Sequence, residues 1–444
     1  MGGDLNIPDG TTALRVAAAD LNGVARGKRM PVAAAAKLAQ DGTRFPLSVL
    51  NLDIWGEDIE SSPLVLESGD RDGVMRATGR GFVPMPWLET PTALLPIWAY
   101  HEDGRPFEGD ARHALASVAE RFAERGMRPV VAVEMEFFLI DDSGPDLRIP
   151  ASPRSGKRAR GGEILSMRTL DAFDGFVTAL YDGCAAMDIP ADTALSESGL
   201  GQFEINLRHQ HDVLKAADDA WLFKLLVKGL ARQHGFAASF MAKPYADYAG
   251  SGMHMHFSVL DDAGRNVFDD GTEAGTNLMR SAVAGCLASM GDATLVFAPH
   301  ANSYNRLVPG AHAPTGIAWA YENRTAAIRI PSGPHAARRI EHRLAGGDVN
   351  PYLSISAVLG AALNGIESGM EPPAPITGNA YDQDLPQVPD TWEAAIDAFE
   401  ASAQIARIFD AELIRNLVMT KRQEVHKMAD LSPEERVEIY LDTV

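Results

Sequence analysis

Four short segments of the chain share an unusual pattern, and that pattern limits what the rest can fold into. Each reads as a strand whose alternate residues are chemically opposed. In 131–138 (VAVEMEFF), Glu134 and Glu136 face one way while Val133, Met135 and Phe137 face the other. In 202–207, Gln202, Glu204 and Asn206 oppose Phe203, Ile205 and Leu207. Segment 253–258 sets His254, His256 and Ser258 against Met253, Met255 and Phe257. Segment 339–343 sets Arg339, Glu341 and Arg343 against Ile340 and His342. The apolar backs of the first three call for burial against helices. Their fronts are then polar and enclosed, which is costly unless the charges are paired or hold a metal. One such strand is ordinarily an amphipathic strand with a wet face. Four that together deliver Glu134, Glu136, Glu204, His254 and Glu341 require cations. Carboxylates with imidazole suit Mg²⁺ or Mn²⁺, and two cysteines, Cys184 and Cys286, are too few for a thiolate zinc site.

A second constellation is cationic. Segments 302–314 (NSYNRLVPGAHAP), 323–331 (NRTAAIRIP) and 337–343 (ARRIEHR) crowd Arg306, Arg324, Arg329, Arg338, Arg339 and Arg343 together. The chain as a whole is acidic, with 60 Asp and Glu against 40 Lys and Arg and a formal charge of −20. That balance excludes general nucleic-acid binding and makes a local arginine cluster informative. Carboxylates that hold divalent metal, set beside arginines, are the equipment of phosphoryl transfer. A purely structural ion-pair network is the competing reading of the same pattern.

At 444 residues the chain has room for two or three domains. Residues 13–101 read as mixed strand and loop punctuated by prolines, and 101–112 (HEDGRPFEGDAR) as a polar connector. An amphipathic helix is expected over about 111–125, with Ala114, Val118, Phe122 and Ala123 on one side. The domain boundary is therefore placed between 104 and 105, giving units 1–104 and 105–444. Further helical stretches are expected near 170–187, 212–234, 273–290 and 391–418, and surface loops at 151–162 and 371–390. Both cysteines sit among small and apolar residues and read as buried thiols. No window approaches the roughly 18–20 apolar residues of a membrane span, and the opening residues do not read as a secretory signal, so a cytoplasmic protein is expected.

In this order, EMEF at 134–137, ESGLGQFEINLR at 197–208, GSGMHMHFS at 250–258, NSYNRLVPG at 302–310, NRTAAIRIP at 323–331, RRIEHR at 338–343 and NPYL at 350–353 resemble the glutamine synthetase superfamily along nearly the whole chain. The resemblance implies an α+β fold, a small β-grasp domain before a larger α/β catalytic domain, in a homo-oligomeric ring, usually a dodecamer, with active sites between subunits. It implies one metal on Glu136, Glu197 and Glu204 and a second on Glu134, His254 and Glu341. Arg306 and Arg343, with Gly250 beside them, match residues that grip glutamate, and Arg324 matches the arginine that stabilises the transferring phosphoryl group. His256, Ser258, Arg329 and Arg339 match nucleotide contacts, so ATP and two or more Mg²⁺ or Mn²⁺ ions are expected. Asp53, in NLDIWGED, corresponds to the acid a neighbouring subunit supplies near the ammonium site.

Three departures surround the ammonium and glutamate pocket. The family's VPGYEAP is VPGAHAP here, with Ala311 and His312; its NGSGMH has Ala249 for Asn; its GGYF corresponds to GGEI, with Glu163 for Tyr. A drifting, inactive relative should change anywhere, whereas an enzyme with a new nucleophile should change here. Such a pocket could admit an organic amine, with His312 as its base and Glu163 holding the far cation of a diamine. Both also read as ordinary loop residues. DLNGVARGKR at 20–29 resembles the amino-terminal signature of γ-glutamylpolyamine synthetases and related amine ligases. Tyr381 resembles the tyrosine that some bacterial glutamine synthetases adenylylate, though an ordinary loop tyrosine fits as well. The implied reaction is ATP-dependent joining of glutamate's γ-carboxyl to an amine, foremost a polyamine such as putrescine. Methylamine, ethanolamine and ammonium are the alternatives within the class, and a non-catalytic ring-forming relative is the alternative outside it.

Overall fold

The computed structural model describes residues 6–144, 146–161, 164–311 and 313–444. Fourteen strands form two sheets. The first contains β1 (Ala13–Ala19), β2 (Ala25–Pro31), β3 (Thr43–Pro46), β4 (Asp72–Ala77), β5 (Val83–Pro84) and β6 (Thr92–Tyr100). Its order is β2-β1-β6-β4-β3, with β5 also on β6 and β1–β6 the parallel pair. The second holds β7 (Met127–Ile140), β8 (Ala191–Ser196), β9 (Gln202–Gln210), β10 (Ala237–Ser239), β11 (Met253–Asp261), β12 (Trp319–Tyr321), β13 (Ile328–Ile330) and β14 (Ile340–His342). Its order is β12-β13-β14-β11-β7-β9-β8, with β10 pairing β7. The architecture is thus an α/β unit preceded by an amino-terminal sheet.

The four alternating segments all become strands of the second sheet and are consecutive neighbours in it, in the order β14, β11, β7, β9. Their apolar backs are buried as the alternation demands: Met135, Phe137, Phe203, Ile205, Met253 and Phe257 are essentially inaccessible. Phe137 stacks on Phe203 and meets Phe223, which lies on helix Val213–Gln233. The helix after the connector runs Ala111–Ala123; Val118 and Phe122 are buried as expected, but Leu115 completes the face in place of Ala114 and Ala123. Ala114 is only half-buried and Ala123 is exposed, because the face is set by Leu115, a larger apolar residue than either alanine. The expected 391–418 stretch is two helices, Trp392–Ala401 and Ala411–Met428.

Helix Pro351–Ser368 was not expected. It is buried on every side from Pro351 to Gly365, so it carries no polar stripe for a 3.6-residue period to reveal. Close approach to helix Asn277–Met290 depends on glycine: a Cβ on Gly365 would lie 2.1 Å from the Ser281 carbonyl, and one on Gly285 2.1 Å from that of Ala361. Asn350 caps this helix by accepting from the Tyr352 and Leu353 amides, with Pro351 in the first turn. Its amide nitrogen donates to the Asp20 carbonyl at 2.8 Å, so the cap also anchors the β1–β2 hairpin. The DLNGVARGKR signature therefore has a structural role at its turn: Trp221 Nε1 donates to the Gly23 carbonyl, and Asn22 donates to Glu424 at 2.8 Å.

Glu424 and Lys421 are fully buried and paired at 2.8 Å, and the Lys421 ammonium also donates to the Asn22 side-chain oxygen Oδ1. Both cysteines are buried, and burial pushes their thiols up to about 12, which leaves them unreactive. Among the described residues no helix is long and apolar enough to cross a membrane. The Lys421 pair yields a stability prediction. Lys421→Ala leaves the Glu424 carboxylate buried without its cation and should cost about 3–5 kcal/mol in chemical denaturation, whereas Lys421→Met with Glu424→Leu should recover most of that loss. A single substitution that melts like the parent chain would show the pair to be dispensable.

Candidate active site

Strand register assembles the polar faces into rows. Glu136 lies opposite Glu204 across β7 and β9, and Glu134 lies opposite both Asn206 on β9 and His254 on β11. His256 lies opposite Glu341 on β14, and Glu341 opposite Arg329 on β13. Direct cross-strand neighbours have Cβ atoms about 4.5–5.5 Å apart, so side-chain contact follows from register alone.

Two metal-competent clusters result. Glu136, Glu197 and Glu204 each offer an oxygen, all within 4.8 Å of one another. Glu134, His256 and Glu341 form a second such set. His254, which the family resemblance assigns to this metal, also meets Glu134, so both histidines flank the set. His254 Nδ1 lies 3.0 Å from one Glu134 oxygen, while His256 Nε2 lies 2.9 Å from the other. Arg339 Nε donates to His256 Nδ1 at 3.3 Å, which leaves Nε2 as the protonated nitrogen facing Glu134.

The clusters differ in electrostatics. Burial works to raise Glu134, but hydrogen bonds from His254 and His256 override it and hold the carboxyl well below its usual range. Burial likewise opposes ionisation of Glu341, and Arg343, His256 and His254 override it. Arg329 Nη1 meets Glu341 at 2.7 Å and Arg343 binds its other oxygen. In the three-carboxylate cluster nothing overrides burial. Burial, then the charge of Glu197, pushes Glu136 up to about 8. Burial, then Glu134, Glu136 and Glu197, pushes Glu204 up to about 9. Two ionised carboxylates 4.8 Å apart repel by roughly 3–4 kcal/mol at an effective dielectric of 20, so this cluster needs protons or a cation. Its donor set, three carboxylates and no thiolate, fits Mg²⁺ or Mn²⁺.

A cavity of about 550 Å³ opens over these groups. Its lining brings together Glu134, Glu136, Glu197, Glu204, His254, Gly250, Arg306, Arg324 and Arg343. Arg306 is buried and donates to the Leu344 carbonyl at 2.8 Å. Arg324 is exposed at the cavity and makes no ion pair or side-chain hydrogen bond with a described residue. His256, Ser258, Arg339 and Glu134 line an adjoining cavity of about 570 Å³.

Other expected residues lie elsewhere. Arg338 turns away from the site: its guanidinium donates to the Glu273 and Thr272 carbonyls and meets His335 Nδ1. Asp53 lines neither cavity. It is fully buried, accepting from the Trp55 and Glu57 amides and from Gln423 and Lys427. His312 and Glu163 lie outside the described residues. Residues without an assigned role also enter the site. Gln202 donates to the Gly250 carbonyl at 3.0 Å and approaches Glu136, fixing that strand end against the glycine loop. Its place beside Glu204 on the polar face was the signal. Tyr381 lines the 550 Å³ cavity and donates to the Ala313 carbonyl at 3.0 Å, a placement its Pro- and Asp-rich loop gave no periodicity to foretell. Ile164 and Leu165 complete the rim.

A carboxylate-lined sheet facing an arginine-lined cavity has counterparts among known proteins. Residues 108–440 match the glutamine synthetase catalytic domain, and the chain belongs to the glutamine synthetase superfamily. Within it, the chain lies close to the γ-glutamyl-amine ligases. It is 35% identical over 429 residues to gamma-glutamylputrescine synthetase of Escherichia coli, covering 94% of this chain and 89% of that one. It is 33% identical over 360 residues to gamma-glutamylethanolamide synthetase of Streptomyces coelicolor, covering 81% and 77%. The solved GmaS–ADP complex superposes with a TM-score of 0.84 at 30% identity, covering 96% of both chains.

The electrostatics carry a pH prediction. In the metal-free chain the Glu136 and Glu204 carboxyls are protonated at neutral pH, so binding of Mg²⁺ or Mn²⁺ at pH 7 should release protons and tighten as pH rises toward 9. Calorimetry in two buffers of different ionisation enthalpy measures the release; identical heats in both would exclude it. Folded values above the ordinary 4.5 also mean that metal-free stability from these two groups falls as pH rises through about 8 to 9, and added metal should restore it.

Proposed function

We propose that the chain is an ATP-dependent ligase joining the γ-carboxyl of glutamate to an organic amine, a polyamine such as putrescine. The carrying observation is a cavity that sets Glu136, Glu197 and Glu204, with Glu134 and His254, against Arg306, Arg324 and Arg343, while His256 of the second cluster lines the adjoining cavity. Glutamate's carboxylate is a poor acyl donor. In the proposed first step its oxygen attacks the γ-phosphorus of ATP and ADP departs, leaving γ-glutamyl phosphate. The amine lone pair then attacks the carbonyl carbon, the C–O bond to phosphate breaks, and the nitrogen loses its proton to a base. Divalent metal on the two clusters would neutralise the phosphate oxygens.

Residue roles follow from placement and from the family motifs. Glu136, Glu197 and Glu204 would hold one ion, and Glu134, Glu341 and a histidine, His256 or His254, the other. Arg306 and Arg343 beside Gly250 would grip glutamate. Arg324, the cavity arginine without a partner among the described residues, would meet the transferring phosphoryl group. His256, Ser258 and Arg339, around the adjoining cavity, would contact ATP, with Arg329 acting behind them through Glu341. His312 is assigned as amine base and Glu163 as the site of a distal ammonium. We read the amino-terminal sheet as the family's β-grasp module, bounded near 104, and the assembly as a ring in which Asp53 serves a neighbour's site.

The polyamine choice is supported by the 35% identity to the putrescine-ligating relative. A monoamine reading is supported by the apolar rim of Ile164 and Leu165, which offers an alkyl chain contact but no charge. Phosphate release with ATP, Mg²⁺ and glutamate, against ammonium, methylamine, ethanolamine, putrescine and spermidine, decides between them. Putrescine or spermidine should give the largest kcat/KM, and turnover with ammonium alone would overturn the amine reading. Glu341→Ala should lower turnover with every amine by at least about a thousandfold, since it removes a ligand and strands Arg329 and Arg343; near-parental rates would remove it from the metal site.

A further inference from the structure

Away from the catalytic cavity, the cleft between the amino-terminal sheet and helix Val213–Gln233 holds a concentration of positive charge foreign to an acidic chain. A cavity of about 590 Å³ lies there, sharing no lining residue with the catalytic one. Arg15 on β1 and Arg29 on β2 are direct cross-strand partners on its sheet wall. Like charges at that separation destabilise a strand pair unless an anion lies between or above them. Across the cleft the helix presents Lys228 and Arg232, four residues apart and so on one face, another like-charge pair.

Arg232 meets Asp142 at 2.6 Å, but Arg15, Arg29 and Lys228 make no ion pair or side-chain hydrogen bond with any described residue. Burial, and then the neighbouring Lys224, depresses the Lys228 amine to about 7, with Asp442 opposing the shift. Asp442 is the one acid among the described lining residues. The floor is apolar. Trp87 packs so closely on the helix that a Cβ on Gly229 would lie 2.2 Å from its ring, and Leu94 and Leu225 extend the surface. Arg29 belongs to the second half of DLNGVARGKR, the half that the hairpin anchor does not use.

We infer that this cleft binds a small organic polyanion, one with two or more carboxylate or phosphoryl groups spaced to meet the sheet arginines and the helix cations together. A monovalent ion could satisfy one wall only. A nucleic acid or extended acidic polymer would be repelled by the surrounding surface of a chain with a net charge of −20. The apolar floor favours a carbon-linked pair of anionic groups over two free ions.

The test is calorimetric titration of the full-length, metal-free chain with glutarate, tricarballylate and inorganic phosphate, and with acetate at matched ionic strength. One saturable site per chain is expected for at least one polyanion and not for acetate. Preference for the carboxylates or for phosphate identifies the chemistry of the group. Arg15→Ala and Arg29→Ala, both on a sheet surface, should each weaken binding at least tenfold while ligase turnover without added anion stays unchanged. Arg343→Ala, in the catalytic cavity, should leave the affinity intact. No saturation by any polyanion, saturation that survives both sheet variants, or loss of binding in Arg343→Ala would each overturn the assignment. Failure here leaves the ligase reading untouched, because that reading rests on the amine panel.

Discussion

The structure depends on bringing the oxygens of three glutamates within 4.8 Å: Glu136 and Glu204 on one face of a sheet whose other face is dry, and Glu197 just past the end of β8. An apolar back of Phe137, Phe203 and Phe257 obliges helices to cover it, which takes the front out of bulk water as well. Once enclosed, the carboxylates cannot all ionise without a cation. The fold therefore positions the chemistry by the same act that buries its core. Gln202 and the Gly252 amide, which donates to Glu136 at 2.7 Å, steer the oxygens without neutralising them.

The two clusters solve the charge problem differently. Glu134 and Glu341 are compensated from within by two histidines and two arginines, so they stay ionised with or without metal. Glu136 and Glu204 have no such partners and take up protons when no cation is present. A cation on the three-carboxylate cluster would displace protons from Glu136 and Glu204, whereas Glu134 and Glu341 would offer carboxylates already ionised. Two neighbouring clusters built from similar residues should therefore respond differently to pH, a division that ligand identity alone would not suggest.

Much of this was legible in the sequence because period-two alternation survives in a strand buried on one side. Glu134, Glu136, Glu204, His254 and Glu341 were placed on polar faces by counting, and register then brought them together. What alternation could not give was how the two histidine rings divide between Glu134 and Glu341. His254 and His256 share a face, and the choice depends on side-chain rotation and on Arg339. Helix Pro351–Ser368 escaped notice because complete burial erases periodicity. Arg338 was grouped with the site because it adjoins Arg339, yet it sits just before β14 and turns toward the Glu273 carbonyl. Tyr381 lay in a loop whose course is set by tertiary contact alone.

That last residue bears on specificity. The wall of the cavity opposite the carboxylates is made by loops: Ile164 and Leu165 from one, Ala311 from a second, Tyr381 from a third. Tyr381 donates to the Ala313 carbonyl, so the loop carrying Ala311, whose own amide donates to the Val308 carbonyl at 3.2 Å, is also tied to a neighbouring loop. Leu165 adopts a left-handed φ of 55°, a conformation that costs a branched residue about 1 kcal/mol or more, and its amide donates to the Ser196 carbonyl at the end of β8. A strained backbone pinned to a sheet edge directs Leu165 outward and leaves room at the rim. The carboxylates and histidines Glu134, Glu136, Glu204, His254, His256 and Glu341 are thus held on strands, where register fixes them, and the opposite wall of the cavity on loops. The motif departures at Ala249 and Ala311 fall in loop segments, whereas Glu134, Glu136, Glu204, His254 and Glu341 lie on strands whose register holds them, so loop substitutions can reshape the cavity wall without moving those side chains.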